Sequence, residues 1–273
     1  MITNIMTVDV EDYFQVSAFE DTIDRSSWES IACRVEYNTH HVLDMFARSN
    51  VKATFFVLAW VAERYPALIK RIVADGHELA NHGYDHKRVT QLTPDEFRSD
   101  IIKSKKILED TGSVDVNGYR APSYSIVESN LWAHEVLSEC GFSYSSSVYP
   151  VKHDLYGIPD APRFKYQSHA NGLVEFPICT TRILGRNLPC GGGGFFRLYP
   201  YWMSQWAINR VNRIDQQPCI FYFHPWEIDP DQPKQPNISA KTQFRHYLNL
   251  NKMESRLENL MTQFEWTRMD TLL

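Results

Sequence analysis

A chain of 273 residues with 43% apolar content is long for one sandwich, ordinary for one α/β barrel, and able to bury a large single core. Its net charge of −5, with Lys and Arg scattered along the chain, lacks the basic stripe of a nucleic-acid binder. Five cysteines (Cys33, Cys140, Cys179, Cys190 and Cys219) without a CxxC pair, no basic and apolar leader at the start, and no run near the roughly 18 apolar residues of a membrane span predict a cytoplasmic chain with free thiols.

In chain order, seven apolar runs read as strands: NIMTV (4–8), KATFFVLA (52–59), GHELA (76–80), NGYR (117–120), FSYSSSV (142–148), LVEFP (173–177) and PCIFYFH (218–224). Amphipathic stretches separate most of them. One helix start is well marked: in TPDEF, Thr93 is the expected N-cap, Pro94 the first helical residue and Glu96 the closing member of a capping box, with Gly112 ending the helix. Strand and helix alternation implies parallel pairing, and runs such as FFVLA and IFYF belong to strands covered on both faces. The expectation is one domain over 1–273, an α/β barrel. The Pro-rich stretch IDPDQPKQPNIS (228–239) is the best linker candidate, with residues 231–273 a C-terminal extension packing on the barrel as one more helix and a closing strand.

In such a barrel, chemistry sits just after the C-terminal ends of the strands. The unusual residues cluster there: Asp9, Glu11 and Asp12 after the first strand, His82 and His86 in NHGYDH after the third, Arg120 in RAPSY after the fourth, and His224 in FYFHPWE after the last apolar strand. Taken singly, each has a bland reading as an exposed charge, a surface pair or a core histidine. Together, two histidines four apart plus a carboxylate from another strand make a three-ligand site with an open position, the arrangement of a catalytic zinc rather than a closed structural one. The spare carboxylate, the arginine and the third histidine then supply base, orienting group and acid.

In type and order these motifs resemble the NodB-like polysaccharide deacetylases of carbohydrate esterase family four. TVDVED resembles the family's first motif, HGYDH its second, RAPSY its third and FYFH its last; the opening TVDVEDYFQV and the segment FHPWEIDP look closest to deacetylases of exopolysaccharide export loci. The resemblance implies the NodB homology fold, a distorted (β/α) barrel of seven or eight strands. It further implies a Zn2+ site, with Co2+ or Ni2+ as alternatives, and hydrolysis of N-acetyl groups on an N-acetylated glycan, either a polysaccharide or a lipid-linked oligosaccharide. By the same resemblance Asp9 is the base, Arg120 its brace, His224 the acid and His82 and His86 metal ligands. The backbone N–H of Ser123 is the oxyanion donor, with Tyr124 and Trp226 toward the substrate.

Two departures stand out. Val10 occupies the position of the family's metal-binding Asp, so the third ligand shifts to Glu11 or Asp12; Glu11, two residues from Asp9, shares its face if the strand persists. The family's fourth motif holds an Asp that orients the acid, whereas YSSSVYP has serines and Val148, leaving Glu175, Glu227 and Asp229 as substitutes. The run LPCGGGGFFRLYP lacks the end of a P-loop and the spacing of a dinucleotide fingerprint. It reads as a flexible loop or as backbone passing close to a sugar, with Phe195, Phe196, Tyr199 and Trp202 as stacking faces. The competing functions are an allantoinase-like amidase on a small amide, an iron oxygenase, which the strand and helix alternation argues against, and a catalytically silent carbohydrate-binding protein.

Overall fold

The structure, a computed structural model, describes residues 2–153, 156–168 and 172–273. Its strands are β1 (Asn4–Val10), β2 (Thr54–Val57), β3 (Glu78–Asn81), β4 (Gly118–Tyr119), β5 (Tyr144–Ser145), β6 (Tyr166–Gln167), β7 (Val174–Glu175), β8 (Thr180–Ile183), β9 (Arg186–Pro189), β10 (Ile220–Phe223) and β11 (Trp266–Thr267). Its helices are α1 (Val35–Ser49), α2 (Ala59–Arg64), α3 (Pro66–Ala74), α4 (Pro94–Gly112), α5 (Trp132–Glu139), α6 (Gly193–Leu198), α7 (Tyr201–Arg210), α8 (Ala240–Tyr247) and α9 (Leu250–Gln263).

All seven expected strands form, and they lie side by side in the order β10-β1-β2-β3-β4-β5-β7, each parallel to its neighbour. An eighth, β6, adds to β7 antiparallel. The sheet curls as a distorted barrel whose two end strands, β10 and β6, are not paired with each other. Short polar strands and hairpins escaped the sequence reading: β6 and the β8–β9 hairpin lack a long apolar run, because one or both of their faces stay partly solvated.

Strand pleating sorts the side chains. On β1, Met6, Val8 and Val10 point into the core shared with the helices, whereas Ile5 belongs to a second cluster inside the barrel with Phe56, Tyr144 and Tyr222. Thr7 and Asp9, alternating with the outward set, take the interior face. Val10 therefore fills a helix-facing position, where a carboxylate could not reach the strand-end site.

The capping box on α4 forms as expected: the Glu96 N–H donates to Thr93 Oγ1 at 3.3 Å and the Thr93 N–H to Glu96 Oε2 at 2.8 Å. Gly112 is the last helical residue, and the left-handed turn that follows falls on Ser113. The C-terminal part contributes two helices rather than one, α8 and α9, and then β11, which pairs with Asn4 and Ile5 of β1. The Pro-rich stretch is not a free linker: Asp229 is bound by Arg34 and Asn38, and Gln232 by His246 and the Trp226 carbonyl. Among the described residues no helix is long and apolar enough to cross a membrane.

The glycine run is not a free loop but is tied to the sheet. The Tyr222 N–H of β10 donates to the Gly191 carbonyl at 2.7 Å, and Gly192 bridges to Tyr222, so the run lies flush along the open edge of the sheet. A Cβ at Gly191 would collide with the Ile220 carbonyl, one at Gly192 with the Tyr222 ring, and one at Gly193 with the Glu227 carboxylate. Phe196 is buried against Phe221, with ring centres 5.0 Å apart, and Trp202 faces solvent.

Candidate active site

Four strand ends bring the predicted residues together. Asp9 and Glu11 come from β1, His82 and His86 from the loop after β3, Arg120 from β4, and His224 from the end of β10. They meet at a cavity of about 380 Å³ lined by Asp9, Glu11, His82, His86, Ser123, Tyr124 and His224.

The histidine pair sits on a tight loop, not a helix. Gly83 and His86 both take positive φ, and Arg25 clamps the loop by donating to the carbonyls of Asp85 and His86 at 3.0 and 3.3 Å. His82 Nδ1 lies 2.8 Å from the Arg120 carbonyl, which orients the ring and leaves Nε2 free. Glu11, one residue past β1, shares the side of Asp9. Its Oε2 is 2.7 Å from His86 Nε2, yet this buried oxygen makes no aligned hydrogen bond. The candidate ligand atoms of Glu11, His82 and His86 all lie within 4.8 Å of one another. A buried carboxylate and two imidazoles whose donor atoms crowd this closely fit a cation placed among them. Burial lowers His82 to about 4, so it stays neutral and able to ligate at neutral pH. Burial opposes the charge on Glu11, but His86 and His224 outweigh it and hold its carboxyl down at about 2.

Asp12, the other candidate third ligand, is turned away from this group. Its carboxylate accepts from the Tyr13 N–H at 2.8 Å and from the Arg34 and Val35 N–H groups at 2.6 and 2.9 Å, capping the start of α1. Burial raises its pKa to about 6 against those hydrogen bonds. Asp12→Ala is expected to lower stability by about 2 kcal/mol, the upper range for a helix cap, while metal content stays at the wild-type level. Denaturant melts and metal analysis of the same sample check both halves.

Arg120 is wholly buried and fully engaged. It donates to Asp9 Oδ1 at 2.6 Å, Thr7 Oγ1 at 2.8 Å, and the Ser146 carbonyl and Oγ at 3.1 and 2.9 Å, while its guanidinium lies over the Phe56 ring. The serines of YSSSVYP hold the arginine segment instead of the acid: Ser146 binds Arg120 directly, and Ser147 Oγ accepts the Ala121 N–H at 2.9 Å. Tyr124, in a left-handed conformation, donates to Asp9 Oδ2 at 3.4 Å. Arg120→Met is expected to cost about 3–5 kcal/mol, because it strands a buried carboxylate, and to abolish turnover. An urea melt of this variant beside the double variant with Asp9→Asn checks the cause, since the second change should restore part of the loss.

Of the three proposed substitutes for the orienting Asp, Glu227 meets His224. Its Oε2 is 3.3 Å from His224 Nδ1 and accepts the His224 backbone N–H at 3.0 Å, and its Oε1 accepts from Arg197 Nε at 2.8 Å. Glu175 instead caps the Ser147 and Val148 N–H groups and meets His134. Burial opposes a charge on His224, but Glu11 and Glu227 outweigh it and raise its pKa to about 9, so the ring holds its proton at neutral pH. Trp226, expected toward the substrate, lines the cavity and stacks on both His224 and His246, with ring centres at 5.2 and 4.3 Å. Ser123 lines the cavity, its Oγ 2.6 Å from that of Ser17.

Sequence reasoning missed Arg197, hidden in the glycine run, and Thr242, Arg245 and His246, which α8 brings to the cavity wall. No local signal marks them, since each reaches the site only through packing of the C-terminal part.

Residues 21–145 match the family described as polysaccharide deacetylase, and residues 146–273 match a domain of unknown function, DUF3473. The first match holds His82, His86 and Arg120; Asp9 and Glu11 precede it, and His224 lies in the second. A peptidoglycan-N-acetylglucosamine deacetylase of Bacillus cereus is 40% identical over 98 residues, 36% of this chain and 36% of the relative. A chitooligosaccharide deacetylase of Bradyrhizobium is 30% identical over 100 residues, 37% of this chain and 43% of that one. The chain thus aligns with less than half the length of these relatives. A crystal structure from Mycobacterium smegmatis, named for the polysaccharide deacetylases, superposes over 99% of this chain and 88% of its own at a TM-score of 0.64 and 18% identity, a likeness of fold. The motif order, the strand-end geometry and the sheet topology agree with the match of residues 21–145 to the polysaccharide deacetylase family, and the chain shares the fold of a solved protein named for it.

Proposed function

We propose that this chain is a metal-dependent hydrolase that removes N-acetyl groups from amino sugars of a polysaccharide or lipid-linked oligosaccharide. One observation carries the reading: the candidate base Asp9, three candidate ligands and the candidate acid His224 line one cavity, with Arg120 buried behind Asp9 and bound to it. The names of the similar proteins, peptidoglycan and chitooligosaccharide deacetylases, support the substrate class. So does the cavity's surroundings: Tyr156 also lines a neighbouring cavity of about 1080 Å³, room for sugar units beyond the one that reacts.

Glu11, His82 and His86 would hold a divalent cation such as zinc, which when bound polarises an acetamido carbonyl and acidifies water. Asp9, held by Arg120, Thr7 and Tyr124, takes the proton from the attacking water. The Ser123 N–H is the candidate second donor to the developing oxyanion. His224, kept protonated and aimed by Glu227, gives its proton to the departing amine nitrogen, so that amide and water end as acetate and a free amino sugar.

The test is acetate release from a panel of N-acetylglucosamine oligomers and N-acetylated glycans, set beside small ureides, with metal content measured on the same preparation. Ureide hydrolysis without acetate release would overturn the glycan assignment in favour of an amidase.

A further inference from the structure

Away from the active site, three chain segments bring sulfur together. Cys179 directly precedes β8 and Cys190 directly follows β9, so the Thr180 and Pro189 register makes them the next facing pair of the hairpin. The Cys190 N–H donates to the Cys179 carbonyl at 3.3 Å, and their sulfurs are 3.4 Å apart. Cys219, the residue before β10, completes the group: all three sulfurs lie within 4.8 Å of one another, buried and unpaired. Single buried cysteines are ordinary small apolar residues. Three converging from separate segments make a donor set.

We propose that Cys179, Cys190 and Cys219 form a binding site for one soft, thiophilic metal ion of the Cu(I) type, separate from the carboxylate and imidazole site. The donor chemistry selects the ion. Thiolates favour soft cations, and zinc in a structural site takes four ligands, whereas this group of candidate ligands has three members among the described residues. A monovalent ion bound by one thiolate and two thiols is neutral, so an apolar core can hold it; each further thiol that ionises on ligation releases its proton. A bound ion would tie the hairpin to β10 on one side and to the glycine run on the other. Those two segments carry His224 and the Arg197 that braces Glu227, so the ion would staple the framework of the acid without touching it.

The experiment uses the full chain, reduced and under anaerobic conditions, with the half-buried Cys33 and Cys140 changed to serine so that only the cluster offers thiols. Cu(I) is titrated in from a competing chelator while the ultraviolet thiolate-to-metal charge-transfer band and the melting temperature are followed. The band is expected to saturate at one ion per chain with a rise in melting temperature, equally in His82→Ala, which lacks the other site. Cys219→Ser and, separately, Cys190→Ala should weaken binding at least about tenfold, each variant being checked for fold by circular dichroism. Absence of the band, or an affinity unchanged from the parent chain in either variant, overturns the proposal. Because the readout is sulfur absorption and not acetate release, it stands or falls apart from the deacetylase reading.

Discussion

His82→Ala is expected to yield a folded chain that no longer retains metal and no longer releases acetate. The fold should survive because His82 lies beyond the end of β3, where the helix-facing core does not depend on it. Metal should be lost because the ring offers one of the three candidate donor atoms, while its Nδ1 is held by the Arg120 carbonyl. Asp9→Asn is the partner experiment: Asp9 is outside the ligand group, so the variant should hold metal at the wild-type level while turnover is lost with the base. Metal analysis, circular dichroism and an acetate assay on both variants decide the matter. Full occupancy in His82→Ala would remove the ligand assignment, and metal loss confined to Asp9→Asn would exchange base and ligand.

His224→Ala is expected to slow amide hydrolysis on the order of 10²–10⁴-fold, the usual worth of a positioned acid, and to slow an activated aryl acetate far less. An amine leaves poorly unless it is protonated as the C–N bond breaks, whereas a phenolate needs no such help. The pH profile gives a second reading. His224 has its pKa raised to about 9, and in the proposed role of acid it must carry its proton, so activity that depends on it is expected below that pKa and lost as pH rises through it. A cation sharing Glu11 takes away part of the attraction that raises the pKa and draws this alkaline limb downward. The variant should lose the limb altogether. Equal damage to both substrates, with a lowered melting temperature, would mean that His224 serves packing alone.

Much of this molecule is legible in local pattern. Runs such as FFVLA and IFYF became parallel strands because burial on both faces leaves a continuous apolar signature that needs no knowledge of the partner strand. The helix start at Thr93 was readable because a capping box closes within four residues. The strand-end positions of Asp9, His82, Arg120 and His224 followed from where polar residues interrupt those runs, and alternation along β1 put Val10 toward the helices and Glu11 with Asp9.

Only the tertiary structure decided which partner each buried group takes. Asp12 was excluded as a ligand by the N-terminus of α1, which claims its carboxylate from 22 residues away. Glu227 became the partner of His224 because Arg197, delivered by the glycine run, fixes its other oxygen, while Glu175 and Asp229 were drawn to His134 and Arg34. Ser146 gripping Arg120, α8 walling the cavity and three cysteines meeting between a hairpin and β10 were equally silent in the sequence. Periodicity fixes the face that a side chain occupies, a property of a few neighbouring residues. Hydrogen bonds and ligand sets form between groups that are distant in the chain, and which of several chemically competent carboxylates or thiols meet is set by how the strands and helices close against each other.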